Sequence, residues 1–114
     1  MELELERINR NDAFISGMLF VDGKYFCQTL EREELRRGKY KVYMLYQVEE
    51  HTRMPQLETG KRVRIAGPSD GKVSDIIVGS DIVEGRMRDP GNLYKVLIKM
   101  IREETKDGDV SLKI

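Results

Sequence analysis

Cysteine and histidine are almost missing from this sequence: Cys27 and His51 occur once each. A lone cysteine excludes an intrachain disulfide and any cysteine-based zinc site, and one histidine leaves too few nitrogen ligands for zinc. Neither sign of charge is in excess. Twenty Lys and Arg balance twenty Asp and Glu, so no global field draws the chain to nucleic acid or to an anionic membrane surface. Long apolar runs are missing as well, and none approaches the roughly 20 residues that cross a bilayer as a helix. Met1-Glu2-Leu3-Glu4-Leu5 alternates acid with leucine and has no basic segment followed by an apolar stretch, unlike a signal peptide. A cytoplasmic location is therefore expected. No repeat, low-complexity tract or linker divides the chain. Its 114 residues fit a single domain, 1–114, which at this length buries about 65% of its extended-chain surface.

What is present reads mainly as strands. Leu3 and Leu5 alternate with Glu2, Glu4 and Glu6, and Ile8 falls out of phase, which predicts a bulge near Arg7 to Asn9. Ala13 to Val21 and Lys24 to Leu30 flank Asp22-Gly23, the sequence signal of a type I′ hairpin. Gly17 marks a bulge or a close approach of backbones. Glu31 to Arg37 reads as a solvated loop. Lys39 to Val48 follows, with Tyr40, Val42, Met44 and Tyr46 on one face and Tyr43, Leu45 and Gln47 on the other. Apolar residues on both faces predict a strand covered on both sides. Glu49 to Gly60, with Pro55 and Gly60, reads as a surface loop. Arg62 to Ile65 is a short strand with Val63 and Ile65 inward and Arg62 and Arg64 outward. Turn chemistry at Gly67 to Gly71 precedes a strand over Asp75 to Gly79, and Asp81 to Arg88 is mixed. A helix then begins with Asp89 as N-cap and Pro90 at the first position. Leu93, Val96, Leu97, Met100 and Ile101 supply its apolar face, and it ends near Lys106. Val110, Leu112 and Ile114 alternate in a closing strand. The expected fold is mainly β, a compact antiparallel barrel- or sandwich-like sheet with one helix near the C-terminus and a final strand.

Side-chain catalysis requires a titratable group with a partner in reach, and the sequence offers little of either. His51 sits between acids and Arg53 in a predicted loop, where an exposed histidine is the ordinary reading. Cys27 lies mid-strand without a neighbouring base, so it reads as a core residue. No acidic cluster has the spacing of a calcium loop, and Gly67 to Gly71 lacks the Gly-Lys-Ser/Thr ending of a phosphate loop. No metal or cofactor is expected. Arg62, Arg64, Arg86 and Arg88 fit either a solvated charged face or a surface that holds a carboxylate or phosphate. Tyr40, Tyr43, Tyr46 and Tyr94 read as sheet and core packing rather than a base-stacking platform.

The order of elements resembles a family of small bacterial and phage-associated proteins of unknown function. Leu19 to Glu31 looks like the opening hairpin of that family, and Gly38-Lys39-Tyr40-Lys41-Val42 matches its Gly-x-Tyr strand. An Ile-Arg-Ile-His-x-Gly segment and a Gly-Cys-Ile-Leu-Val-Gly segment follow there, then a helix beginning around a Leu-Tyr pair and a last strand. Those two segments are similar in type to the His and Ser-x-Gly-Cys motifs of L,D-transpeptidase catalytic domains, in which a thiolate attacks a peptidoglycan stem peptide. Here Val63-Arg64-Ile65-Ala66-Gly67 places Ala66 at the histidine position, and Ser74-Asp75-Ile76-Ile77-Val78-Gly79 has Ser74-Asp75 in place of Gly-Cys. Losing both nucleophile and base removes the acyl-enzyme route.

Three readings follow. The first is a catalytically inactive relative that keeps a groove around Arg64, Ala66, Ser69, Ser74, Asp75 and Arg86 and binds a peptide, a cell-wall fragment or a protein. A hydrolase or transferase using Asp75 is the second. The third is an assembly protein that associates through a sheet edge or an apolar patch.

Overall fold

The acid–leucine alternation at the N-terminus forms the first stave of a barrel. The computed structural model describes all residues, 1–114. Strand β1 (Glu2–Arg10) pairs antiparallel with β2 (Ile15–Val21), and its register shifts between Arg7 and Asn9, where the phase break predicted a bulge. Asp22 (φ 48°) and Gly23 (φ 85°) make the tight turn into β3 (Lys24–Glu31). Both have the positive φ that a type I′ turn demands. Gly17 is a close approach: a Cβ there would stand 2.5 Å from the Glu6 carbonyl oxygen.

After the 32–38 segment come β4 (Lys39–Gln47), β5 (Thr52–Leu57), β6 (Val63–Ala66) and β7 (Ile76–Gly79). A small hairpin, β8 (Asp81–Val83) and β9 (Arg86–Arg88), precedes helix α1 (Leu93–Asp107) and the last strand, β10 (Val110–Lys113). Eight strands close in the order β1-β10-β4-β5-β6-β7-β3-β2. The barrel is mainly antiparallel, but β1–β10 and β6–β7 run parallel. The crossover through α1 allows the first of these, because β10 re-enters between β1 and β4. Aliphatic side chains fill the interior: Leu3, Leu5, Leu19, Val42, Ile65, Val78 and Leu112 belong to one buried cluster with Leu97 and Ile101 of α1. Glu2, Glu4 and Glu6 take the outer side of β1. This is a packed core rather than a pore. No helix is long and apolar enough to cross a membrane.

Several expectations need correction. Glu49 to Gly60 contains a strand, β5, despite Pro55. Proline is tolerated there because β6 pairs with β5 only at Gln56 and Leu57, so residue 55 lies where no strand follows on that side. The mixed segment 81–88 is a hairpin whose turn, Glu84 (φ 51°) and Gly85 (φ 75°), repeats the positive-φ geometry of Asp22-Gly23. Strand β4 is covered at Val42 but not at its far end, where Leu45 and Tyr46 are exposed. The helix starts at Leu93, because Pro90 and Gly91 belong to a turn closed by the Asn92 amide on the Asp89 carbonyl. Asp89 still caps it from outside, accepting the backbone N–H groups of Leu93 (2.8 Å) and Tyr94 (2.9 Å). Val96 is largely exposed rather than part of the apolar face.

Candidate functional site

Strands β5 and β6 part company after two residue pairs, and a cleft opens where the barrel wall divides. One wall is the start of β5, Thr52 and Arg53; the other is the loop Gly67 to Asp70. Helix α1 forms the third side with Lys95, Ile98, Lys99, Arg102 and Glu103, and the cleft encloses about 680 Å³. Helical spacing explains that side. Lys95, Lys99 and Arg102 lie at i, i+4 and i+7, on one stripe, while Leu97 and Ile101 turn into the core.

Arg64 fastens the two walls together. Alternation along β6 sends Val63 and Ile65 into the core and Arg64 to the outer side, as the sequence predicted. The outer side is nevertheless sealed, and Arg64 is fully buried. Its Nε and Nη2 donate to the Asp75 carboxylate, the shortest contact being 2.6 Å, and Nη2 also reaches the Asp70 carbonyl at 3.3 Å. On the other wall Nη1 lies 3.0 Å from Glu50 Oε1 and donates to Gln47 Oε1 at 3.4 Å. The backbone N–H groups of Arg64 and Lys72 complete the shell around Asp75. These partners raise the Arg64 guanidinium further above its already high value, with the Asp75 bond the largest cause. Burial alone would raise the Glu50 carboxyl, but its bond and charge interaction with Arg64 hold it below the usual range. The network ties the β4–β5 ribbon to the loop that follows β6.

Tyr94 fixes the loop to the helix. Its hydroxyl donates to the Ile65 carbonyl at 3.2 Å, and a Cβ on Gly67 would meet its ring at 2.7 Å. Burial, aided by the nearby Asp70 charge, pushes this phenol above its ordinary value.

Four cations and three acids line the cleft, and it is the cations that are uncommitted. None of the side chains of Arg53, Lys95, Lys99 and Arg102 makes an ion pair or a hydrogen bond within the chain. Of the acids beside them, Asp89 is spent on the helix N–H groups and Glu103 pairs with Lys106 at 3.4 Å. Asp70 remains. Four uncommitted cations around one concavity can hold carboxylates or other oxyanions through charge-assisted hydrogen bonds.

The residues singled out from the sequence do not share one groove. Arg64 and Asp75 form the buried pair, and Ala66 is fully buried. Ser69 lines the cleft. Ser74 opens on a separate depression beside Glu33, Tyr40 and Lys61, and Arg86 on another beside Arg32 and Lys72. Sequence reading missed the cleft cations because they come from β5, which read as a loop, and from the wet face of a helix, where lysines are ordinary. Asp75 has no side turned to a cavity: both oxygens accept hydrogen bonds from Arg64 and one also accepts from Lys72. Cys27 is buried, and burial pushes its thiol up to about 12. His51 is exposed in the β4–β5 turn with φ 56°.

No known protein family, curated protein or solved structure matches the chain.

Proposed function

We propose that the chain is a non-catalytic binding domain that takes carboxylate-bearing peptide in the cleft between β5, the 67–70 loop and α1. One observation carries the reading: Arg53, Lys95, Lys99 and Arg102 line the same concavity and have no partner within the chain. Three acids share the cleft, but Asp89 serves the helix N–H groups and Glu103 pairs with Lys106, so the lining keeps an excess of one positive charge and four cations free to take an anion. The scaffold is stiff where the ligand would sit, since Arg64 and Tyr94 fix both walls before binding. Peptide is favoured over nucleic acid because the one aromatic residue of the cleft, Tyr94, is half-buried and engaged with Ile65, leaving no open ring for a base.

The resemblance to transpeptidase-like proteins belongs to the same proposal. A relative that has lost the reacting pair, with Ala66 and Asp75 at the two positions, and kept an affinity for peptides fits a cleft of this chemistry. An acidic peptide, a cell-wall stem peptide and an acidic segment of a protein all present carboxylates. Titration of the isotope-labelled chain followed by two-dimensional NMR tests the proposal. A Glu-rich peptide and a muropeptide are the ligands, with oligothymidylate as the contrast. Shifts confined to Arg53, Ser69, Lys95, Lys99 and Arg102 with a peptide ligand are expected. No shift with either peptide, or equal shifts with oligothymidylate, refutes the reading.

A further inference from the structure

Closing a barrel removes sheet edges, but not every stave here is fully flanked. Strand β10 pairs with β4 from Lys39 to Val42 and begins at Val110, so β4 has no neighbouring strand on that side from Tyr43 to Gln47. On its other side the same stretch pairs with β5 out to Gln47↔Thr52, forming a two-stranded ribbon beyond the barrel wall. An unpaired edge presents a row of backbone N–H and C=O groups to any other strand.

Unpaired edges elsewhere in the molecule are protected. Beyond Glu4, where its pairing with β10 stops, β1 carries Glu6, Arg7 and Arg10. The free stretch of β5, Thr52 to Pro55, has Arg53 and a proline. The unpaired start of β3 has Lys24 and a register shift opposite Leu19/Phe20. The β8–β9 hairpin carries Asp81, Arg86 and Arg88. The β4 edge has none of these devices. Tyr43-Met44-Leu45-Tyr46-Gln47 contains no charge, proline or bulge, and Leu45, Tyr46 and the adjacent Val48 are 42%, 55% and 74% exposed.

We propose that two copies of this chain associate through this edge, β4 against β4, antiparallel about a two-fold axis. A second copy is the occupant that the charges favour. An uncharged edge pairs with itself without setting like charges opposite one another. The edge is flanked by Lys41 at one end and Glu49 at the other, opposite signs that antiparallel pairing sets against each other; within the chain each already has an exposed partner, Asp109 at 4.0 Å and Lys72 at 3.3 Å, that the association would share. With a net charge of zero, two copies do not repel at long range. Pairing covers Leu45 and Tyr46 of both chains and joins the two barrels through one continuous ribbon. The interface is isologous and closes at two copies. It lies on the β4 side of the ribbon, whereas the cleft lies on the β5 side, where Arg53 is the cross-strand partner of Tyr46.

Sedimentation velocity of the full chain from micromolar to millimolar concentration tests this, with Leu45→Lys and Tyr46→Lys as single variants and Val83→Lys on the β8–β9 hairpin as control. Both test sites are exposed, and circular dichroism checks the fold. A monomer–dimer equilibrium is expected, weakened at least tenfold in each edge variant and unchanged in Val83→Lys. Oxidation of Leu45→Cys tests the edge itself and is expected to give a disulfide-linked dimer, since the buried Cys27 cannot take part. A monomer at every concentration overturns the proposal. So does a dimer that keeps its affinity in both lysine variants.

Discussion

Removing the Arg64 side chain is predicted to cost this protein a large share of its stability. In Arg64→Ala the Asp75 carboxylate stays buried, with its side chain 1% exposed, and keeps only two backbone N–H donors. Gln47, Glu50 and the Asp70 carbonyl lose a partner at the same time. Deleting one member of a buried ion pair costs about 3–5 kcal/mol, because the other charge is left uncompensated. A domain of this size has a total of roughly 5–15 kcal/mol. With a urea slope of about 2 kcal/mol/M, the unfolding midpoint falls by about 2 M. Equilibrium urea denaturation followed by far-UV circular dichroism measures it, with the slope checked for two-state behaviour. Arg64→Met combined with Asp75→Asn recovers part of the loss, since no charge remains at that pair; the recovery is incomplete because the N–H groups of residue 64 and Lys72 go to different carboxylate oxygens and the single amide oxygen can accept only one of them. A midpoint shift below about 0.5 M in Arg64→Ala, equivalent to ~1 kcal/mol, would refute the argument that this pair fastens the two walls.

Other outcomes follow from single groups. Cys27, with its thiol pushed up to about 12, stays unreactive toward a thiol reagent at pH 8 in the native state and reacts fully in 8 M urea; fast native labelling contradicts its burial. Asp89→Ala removes two acceptors from the start of α1 and lowers stability by about 1 kcal/mol, read as a drop in thermal midpoint, whereas an unchanged midpoint denies the capping role. Because the folded protein holds the Glu50 carboxyl below its unfolded value, its stabilisation is complete above about pH 4.3 and is lost as pH falls through the folded value. Urea midpoints from pH 7 to pH 3 are expected to decline less steeply in Glu50→Gln than in the unaltered chain, and identical slopes exclude this contribution.

The barrel was legible from local patterns wherever those patterns were undiluted. Leucine alternation in β1, Asp22-Gly23 and the closing Val110-Leu112 alternation each state a strand or turn without help from the rest of the chain. Strand β5 was not legible, because Pro55 argues for a loop until one knows that β6 leaves its side unpaired. Glu84-Gly85 hid a second type I′ turn because glutamate rarely takes a positive φ. Arg64 was placed on the correct face of β6, yet its burial depends on Gln47 and Glu50 of the β4–β5 ribbon and on Asp75 before β7 arriving from two other parts of the chain. The cleft is a feature of that kind. Its cations sit 42 or more positions apart at Arg53 and Lys95, and only the split between β5 and β6 brings them together.

The central claim is that the cations of this cleft bind carboxylates. Its most direct test is the affinity of a fluorescent Glu-rich peptide, measured by anisotropy against the unaltered chain and against Arg53→Ala/Lys99→Ala at two salt concentrations. These side chains make no ion pair or hydrogen bond within the fold, so the double variant is expected to keep most of its stability and lose at least tenfold in affinity, with tighter binding at low salt in the unaltered chain. Equal affinity in both proteins, or no measurable binding at low salt, contradicts the claim.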